Sequence, residues 1–237
     1  MTSKSASAAY ERHKERAASA KREQSSKARE IGDLPAVVDP NRRANGRLSF
    51  RAFCETYLAE LFPLAWSPDH LTAIGKIEAA VLRGELFAFA MPRGSGKTTL
   101  SEAACLWAML YGHRQFIVLI GADQTIASSM ADSLKAQIEN NDLLLEDFPE
   151  ACYPVRCLDR IAQRAKGQTH QGTPTEMQWA ADQVTLPWIK GSVSAGACVR
   201  VAGITGRIRG LKHTRPDGRS IRPSLVLIDD PQTDESA

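Results

Sequence analysis

Leu86-Phe87-Ala88-Phe89-Ala90-Met91-Pro92-Arg93-Gly94-Ser95-Gly96-Lys97-Thr98-Thr99 is the stretch whose reading decides the fold. Its first five residues are a short apolar run of strand type, and from Thr98 to about Tyr111 the apolar residues follow a helical pattern. The segment between them must turn tightly. Gly94 and Gly96 free the backbone for positive φ, so that several N–H groups can converge on an anion. Lys97 brings an ammonium to the β- and γ-phosphates, and Thr98 brings a hydroxyl to magnesium at the start of a helix whose dipole favours negative charge. Pro92, Arg93, Gly94, Ser95, Gly96, Lys97, Thr98 and Thr99 therefore read as a loop for ATP and Mg2+. Met91 stands where the pattern GxxxxGK(S/T) has its first glycine, so the strand before and the helix after carry much of the assignment.

Downstream, a strand is expected at 115–120, ended by Gly121, and a helix at 124–140 behind Asp123 as its cap. Strand, helix, strand, helix implies an α/β fold, a P-loop NTPase with a parallel sheet flanked by helices. A last apolar run, 224–228, ends in Asp229-Asp230. A strand buried on both faces delivers its final residues to the edge from which the phosphate loop leaves. Asp229 is thus the candidate magnesium ligand with Thr98, and Asp230 the candidate group to orient or deprotonate the attacking water. Arg93 lies within the loop. Arg207 and Arg209, in Thr205-Gly206-Arg207-Ile208-Arg209-Gly210, are the other candidates to neutralise charge on a transferring phosphoryl group. Solvation of these arginines, or contact with DNA phosphate, is the competing reading.

Upstream, two helices are expected. Leu48 to Phe62 has apolar residues at three- and four-residue intervals and ends at Pro63. The second follows Ser67-Pro68-Asp69, with Ser67 as cap, a buried stripe of Leu71, Ile74, Ile77, Ala80 and Val81, and Gly84 as stop. Residues 31–47 read as a linker and 1–30 as an arm without an apolar face, with the folded domain spanning 48–237. The first 47 residues hold 11 Lys/Arg against 6 Asp/Glu, whereas the remainder holds 19 against 21. The arm alone is basic, which suits nucleic acid, an acidic partner or solvent. Between 143 and 164 the pattern is helical with a break near 149–154, and short β-like runs follow at 177–179, 184–186 and 198–201. The five cysteines lie on apolar stretches without a paired CxxC and read as reduced core thiols. No apolar run reaches the length of a membrane span, and the polar N-terminus does not read as a secretory signal.

Taken together, these residues resemble the large terminase subunit of tailed bacteriophages, the motor that packages DNA into procapsids. The resemblance rests on Pro92-Arg93-Gly94-Ser95-Gly96-Lys97-Thr98-Thr99, on Gly206-Arg207-Ile208-Arg209-Gly210 and on Leu225-Val226-Leu227-Ile228-Asp229-Asp230-Pro231-Gln232-Thr233, within roughly 48–237. It implies a RecA-like ATPase domain of the additional-strand type, a homo-oligomeric ring acting on double-stranded DNA in the host cell cytoplasm, and hydrolysis triggered by a neighbouring subunit's arginine, here Arg207 or Arg209. A small terminase subunit and a portal protein are the implied partners, with no membrane. The sequence departs from the family in two places. His70 stands where a glutamine usually contacts adenine, and Asp229-Asp230 replaces the usual Asp-Glu pair. The chain reads as ending just after the acidic strand, so the coupling motif and the nuclease domain of the family would lie beyond Ala237.

Other classes share parts of this pattern. A helicase-like DNA-dependent ATPase would continue the acidic strand differently from Pro231-Gln232, and a small-molecule kinase would show an arginine-rich lid. A non-hydrolysing nucleotide-binding adaptor acting through its basic arm is the reading from outside the enzymes.

Overall fold

A computed structural model describes residues 29–206 and 208–230. Residues 1–28 of the arm read at 1–30, Arg207 and the tail at 231–237 lie outside the described residues. Seven α-helices are described: α1 (Pro40–Gly46), α2 (Phe50–Tyr57), α3 (Pro68–Arg83), α4 (Lys97–Leu110), α5 (Gln124–Asn140), α6 (Asp142–Asp147) and α7 (Pro149–Arg156). The strands are β1 (Phe116–Gly121), β2 (Thr169–His170), β3 (Thr173–Pro174), β4 (Gln178–Trp179), β5 (Gln183–Thr185), β6 (Cys198–Gly203), β7 (His213–Thr214), β8 (Ser220–Ile221) and β9 (Leu225–Ile228).

The central sheet has the order β4-β5-β6-β1-β9. β6, β1 and β9 run parallel, with Ile117 opposite both Val199 and Leu225, while β5 and β4 add antiparallel strands at one side. β1 is the middle of the parallel set and is buried along its whole length, the signature of a strand covered on both faces. Ile117 and Leu119 face the main core, which α2 to α7 build with Phe50, Phe53, Trp107 and Phe148. Phe116, Val118 and Ile120 face the other way, onto Ile204, Ile208, Leu211 and Ile221. On that second face the described cover is the segment 204–221 and not a helix. Beyond its reach Val226 and Ile228, in register with Val118 and Ile120, are 50% and 55% exposed.

Local chemistry sets most helix starts. The Asp123 carboxylate accepts from the Ile126 N–H at 2.8 Å and fixes the start of α5. Ser67 caps α3 with Pro68 at its first position, and Gly84 ends it in the left-handed conformation. Of the stripe expected on α3, Ile74, Ile77, Ala80 and Val81 are buried and Leu71 is not. α2 is shorter than the sequence suggests. It ends at Tyr57, where Leu58 leaves helical geometry, and the chain turns through Leu61 before Pro63.

Two expectations need correction. Residues 31–47, read as a linker, contain α1. Its Asp39 cap, together with Arg42 and Arg43, ties it to Glu146, Asp147 and Glu150, and the Trp107 indole N–H donates to the Gly46 carbonyl at 2.8 Å. The run 86–90, read as a strand, forms no ladder with any described strand. Phe87 and Phe89 stack with centroids 5.5 Å apart, as side chains two residues apart do on an extended chain, while Leu86 is 99% exposed. A strand exists through its neighbours' hydrogen bonds. The described sheet ends at β9 on one side and at β4 on the other, and 86–90 joins neither.

The break expected near 149–154 falls at Phe148. Pro149 opens α7, and Pro154 lies inside that helix. The cysteines are free thiols, four of them buried. Among the described residues no helix is long and apolar enough to cross a membrane.

Candidate functional site

Because β6, β1 and β9 are parallel, their last residues share one edge of the sheet. α5 starts there after β1, the loop carrying Arg209 starts there after β6, and Asp229 starts there after β9. The Asp229 N–H donates to the Ile120 carbonyl at 2.8 Å, which prolongs the β9 ladder by one step and fixes the carboxylate at the rim.

Thr98 meets it there. Its hydroxyl donates to Oδ2 of Asp229 at 2.6 Å, joining positions 131 residues apart. Asp229 is 7% exposed and Thr98 is exposed, so the pair sits at the surface of a covered edge. Thr98 and Asp229 are the two side chains that the sequence offers as partners on one cation. Two hard oxygen donors suit magnesium, which keeps several waters and binds through one or two protein oxygens plus phosphate. Among the described residues no group of three or more His, Cys, Asp and Glu is arranged for a metal. Magnesium held there would rely on Thr98, Asp229 and the nucleotide's own oxygens.

The loop 91–96 is glycine-flanked and open to solvent. Gly94 and Gly96 both stand at φ +76°, and a Cβ placed on either would meet nothing within 4 Å. The requirement for glycine is thus conformational, and the space over the loop is open. Gly96 starts α4 without a side-chain cap, whereas Asp39, Ser49, Ser67, Asp123 and Asn141 cap α1, α2, α3, α5 and α6. The first N–H groups of α4 thus lack a side-chain acceptor, as do those of α7. The buried Ser95 hydroxyl likewise has no partner. A phosphate would satisfy both. The Lys97 ammonium donates to the carbonyls of Met91 at 2.8 Å and Pro92 at 3.1 Å, folded over the loop it belongs to. Pro92 and Arg93 are exposed at the turn, and Thr99 is partly buried on the first turn of α4.

The remaining candidates are less tightly placed. Asp230 follows Asp229 at φ 43°, exposed, a left-handed conformation that aspartate tolerates better than most residues. Arg209 is exposed in the loop after β6, held by Ile208 and Leu211 against the second core. That loop leaves the same edge as Asp229, two strands away, and no hydrogen bond or ion pair joins Arg209 to the Thr98–Asp229 pair. Arg207 lies outside the described residues.

Two further residues belong to the site. Glu102 lies one turn beyond Thr98 on α4, and burial, with the charge of Asp229 adding to it, pushes its carboxyl up to about 7 against a hydrogen bond from Ser133. The sequence does carry a signal for it, a single carboxylate in the apolar stretch Leu100 to Leu110. His70 is the other, with Nε2 2.9 Å from the Ser95 carbonyl of the loop. Trp66 and Phe62 pack on each other at 4.9 Å and against the main core, partly buried.

No protein-family model matches this chain, and no curated protein or solved structure matches it either.

Proposed function

We propose that the chain is the ATP-hydrolysing domain of a DNA-packaging motor of the large-terminase kind, a P-loop NTPase of the RecA-like, additional-strand type. The observation that carries this reading is the 2.6 Å contact between Thr98 and Asp229 at the mouth of an uncapped, glycine-flanked helix N-terminus. An apolar run that leads into the loop without joining the described sheet, and a described sheet that ends at the acidic strand, support the additional-strand assignment. In that fold a further strand separates the two.

The loop N–H groups and Lys97 bind the β- and γ-phosphates, with Lys97 exchanging its two loop carbonyls for phosphate oxygens. Thr98 and Asp229 would hold magnesium, which would neutralise charge on those phosphates. Asp230 takes a proton from water as the water oxygen bonds to the γ-phosphorus, and the bridging oxygen leaves with ADP. Arg93 in the loop, and Arg209 of an adjacent subunit, offset the charge that develops. The physiological activator is double-stranded DNA threaded through a homo-oligomeric ring in the host cytoplasm. A small terminase subunit and a portal protein are its further partners, with no membrane involved.

ATP turnover with and without duplex DNA tests the reading. Lys97→Ala and Asp230→Asn should each lower DNA-stimulated turnover by about 100-fold or more. Unchanged turnover in both variants would falsify the motor assignment.

A further inference from the structure

The imidazole of His70 joins the start of α3 to the middle of the phosphate loop. A carbonyl can only accept, so Nε2, 2.9 Å from the Ser95 oxygen, carries the proton. Nδ1 then accepts from the Ser67 hydroxyl at 2.7 Å, while the same Ser67 oxygen caps the His70 backbone N–H at 3.3 Å. Both ring nitrogens are thereby committed, and the tautomer is fixed from both sides. The ring also packs beside Trp66, with centroids 5.9 Å apart, and the Trp66 indole N–H donates to Glu55 at 2.9 Å.

The peptide that His70 holds is flanked by glycine. Ser95 lies between Gly94 and Gly96, both left-handed, and a peptide unit followed by glycine rotates at low cost. In a trans peptide the carbonyl and the next N–H point in opposite directions. Anchoring the Ser95 carbonyl on His70 therefore aims the Gly96 N–H the other way, into the loop where the phosphates would lie.

Resting on the nucleotide reading above, we infer that His70 is a positioning residue for phosphate binding: it fixes the orientation of the Ser95–Gly96 peptide and does not recognise the base. The role is distinct from an adenine contact, because its effect falls only on ligands that reach the loop. Removing it leaves that peptide to sample orientations in which one donor is lost, which weakens β-phosphate binding.

The test is the affinity of the chain for ADP and for AMP, measured by titration calorimetry with magnesium. His70→Ala should weaken ADP about tenfold and leave AMP unchanged, with thermal denaturation confirming that the variant is folded. His70→Gln, whose amide nitrogen can donate to the Ser95 carbonyl, should recover most of the ADP affinity; it also serves as the test should the alanine variant fail to fold. Equal weakening of ADP and AMP would make His70 a base contact and overturn the inference, as would unchanged ADP affinity in His70→Ala. Failure of the unsubstituted chain to bind ADP at all would instead remove the nucleotide reading on which the inference stands.

Discussion

The Thr98 hydroxyl and the Asp229 carboxylate are hydrogen-bonded at 2.6 Å across the rim of the parallel sheet. The contact separates two properties that substitution can pull apart. Asparagine at 229 keeps an acceptor for Thr98 but loses the charge a divalent cation needs. Asp229→Asn should hold folding stability within about 1 kcal/mol of the unsubstituted chain while removing most of the magnesium dependence of ATP binding. Thermal denaturation and ATP titrations with and without magnesium report the two separately. An unchanged magnesium response would exclude Asp229 as a ligand.

Asp147 makes a prediction about acid. It is fully buried, accepts from Tyr57 and Arg42, and receives the Asp39 N–H. Burial alone would raise its pKa, but the hydrogen bonds from Arg42, Tyr57 and the Asp39 backbone outweigh it and hold the carboxyl below its ordinary value. A depressed folded-state pKa contributes stability that is present above the unfolded value, about 3.9, and is lost as pH falls through the folded one. Asp147→Asn should cost about 2–4 kcal/mol at pH 7, since it leaves Arg42 short of its partner, and should flatten the decline below pH 4. Urea unfolding at pH 7 and pH 3.5 measures both. A decline as steep in the variant as in the unsubstituted chain would show that other carboxylates govern it.

Glu102 has the opposite sign. Its carboxyl is raised to about 7, so the folded state favours the neutral form, and stability present at pH 4.5 is lost as pH rises through the folded value. Glu102→Gln carries no such penalty. The variant should match the unsubstituted chain near pH 4.5 and exceed it by about 1–2 kcal/mol at pH 8, a figure reduced for partial exposure. Equal unfolding midpoints at both pH values would refute it.

Gly203, the last residue of β6, faces the start of α5 so closely that a Cβ would lie 2.7 Å from the Asp123 carbonyl carbon and 2.7 Å from the Gln124 nitrogen. Both are backbone atoms and cannot swing aside. Gly203→Ala should push the helix start away from the sheet and destabilise the chain by about 1–3 kcal/mol. A midpoint within 0.5 kcal/mol of the unsubstituted chain, about the scatter of a neutral surface change, would mean the contact relaxes freely.

Much of the fold was legible where a local signal coincided with a packing need. Asp123 and Ser67 are caps that lead directly into apolar stripes, so the starts of α5 and α3 follow from sequence. The pairing of Thr98 with Asp229 was legible as well, because strand order and loop chemistry converge on one edge. What escaped depends on distant partners. Arg42 and Arg43 look like linker residues until Glu146, Asp147 and Glu150 face them. The run 86–90 has strand composition, but a ladder requires a neighbour that composition does not supply. His70 shows nothing of its contact with Ser95, which lies 25 positions further along the chain, beyond the end of α3.

Val226 and Ile228 protrude from the second face of the sheet past the end of its cover. Greasy side chains on an outermost strand invite self-association, so the chain should crowd into higher-order species as concentration rises and should brighten hydrophobic dyes even while folded. Handling in solution would then improve with Val226→Lys, a charge on the outward side of a strand end that leaves the Thr98–Asp229 junction untouched.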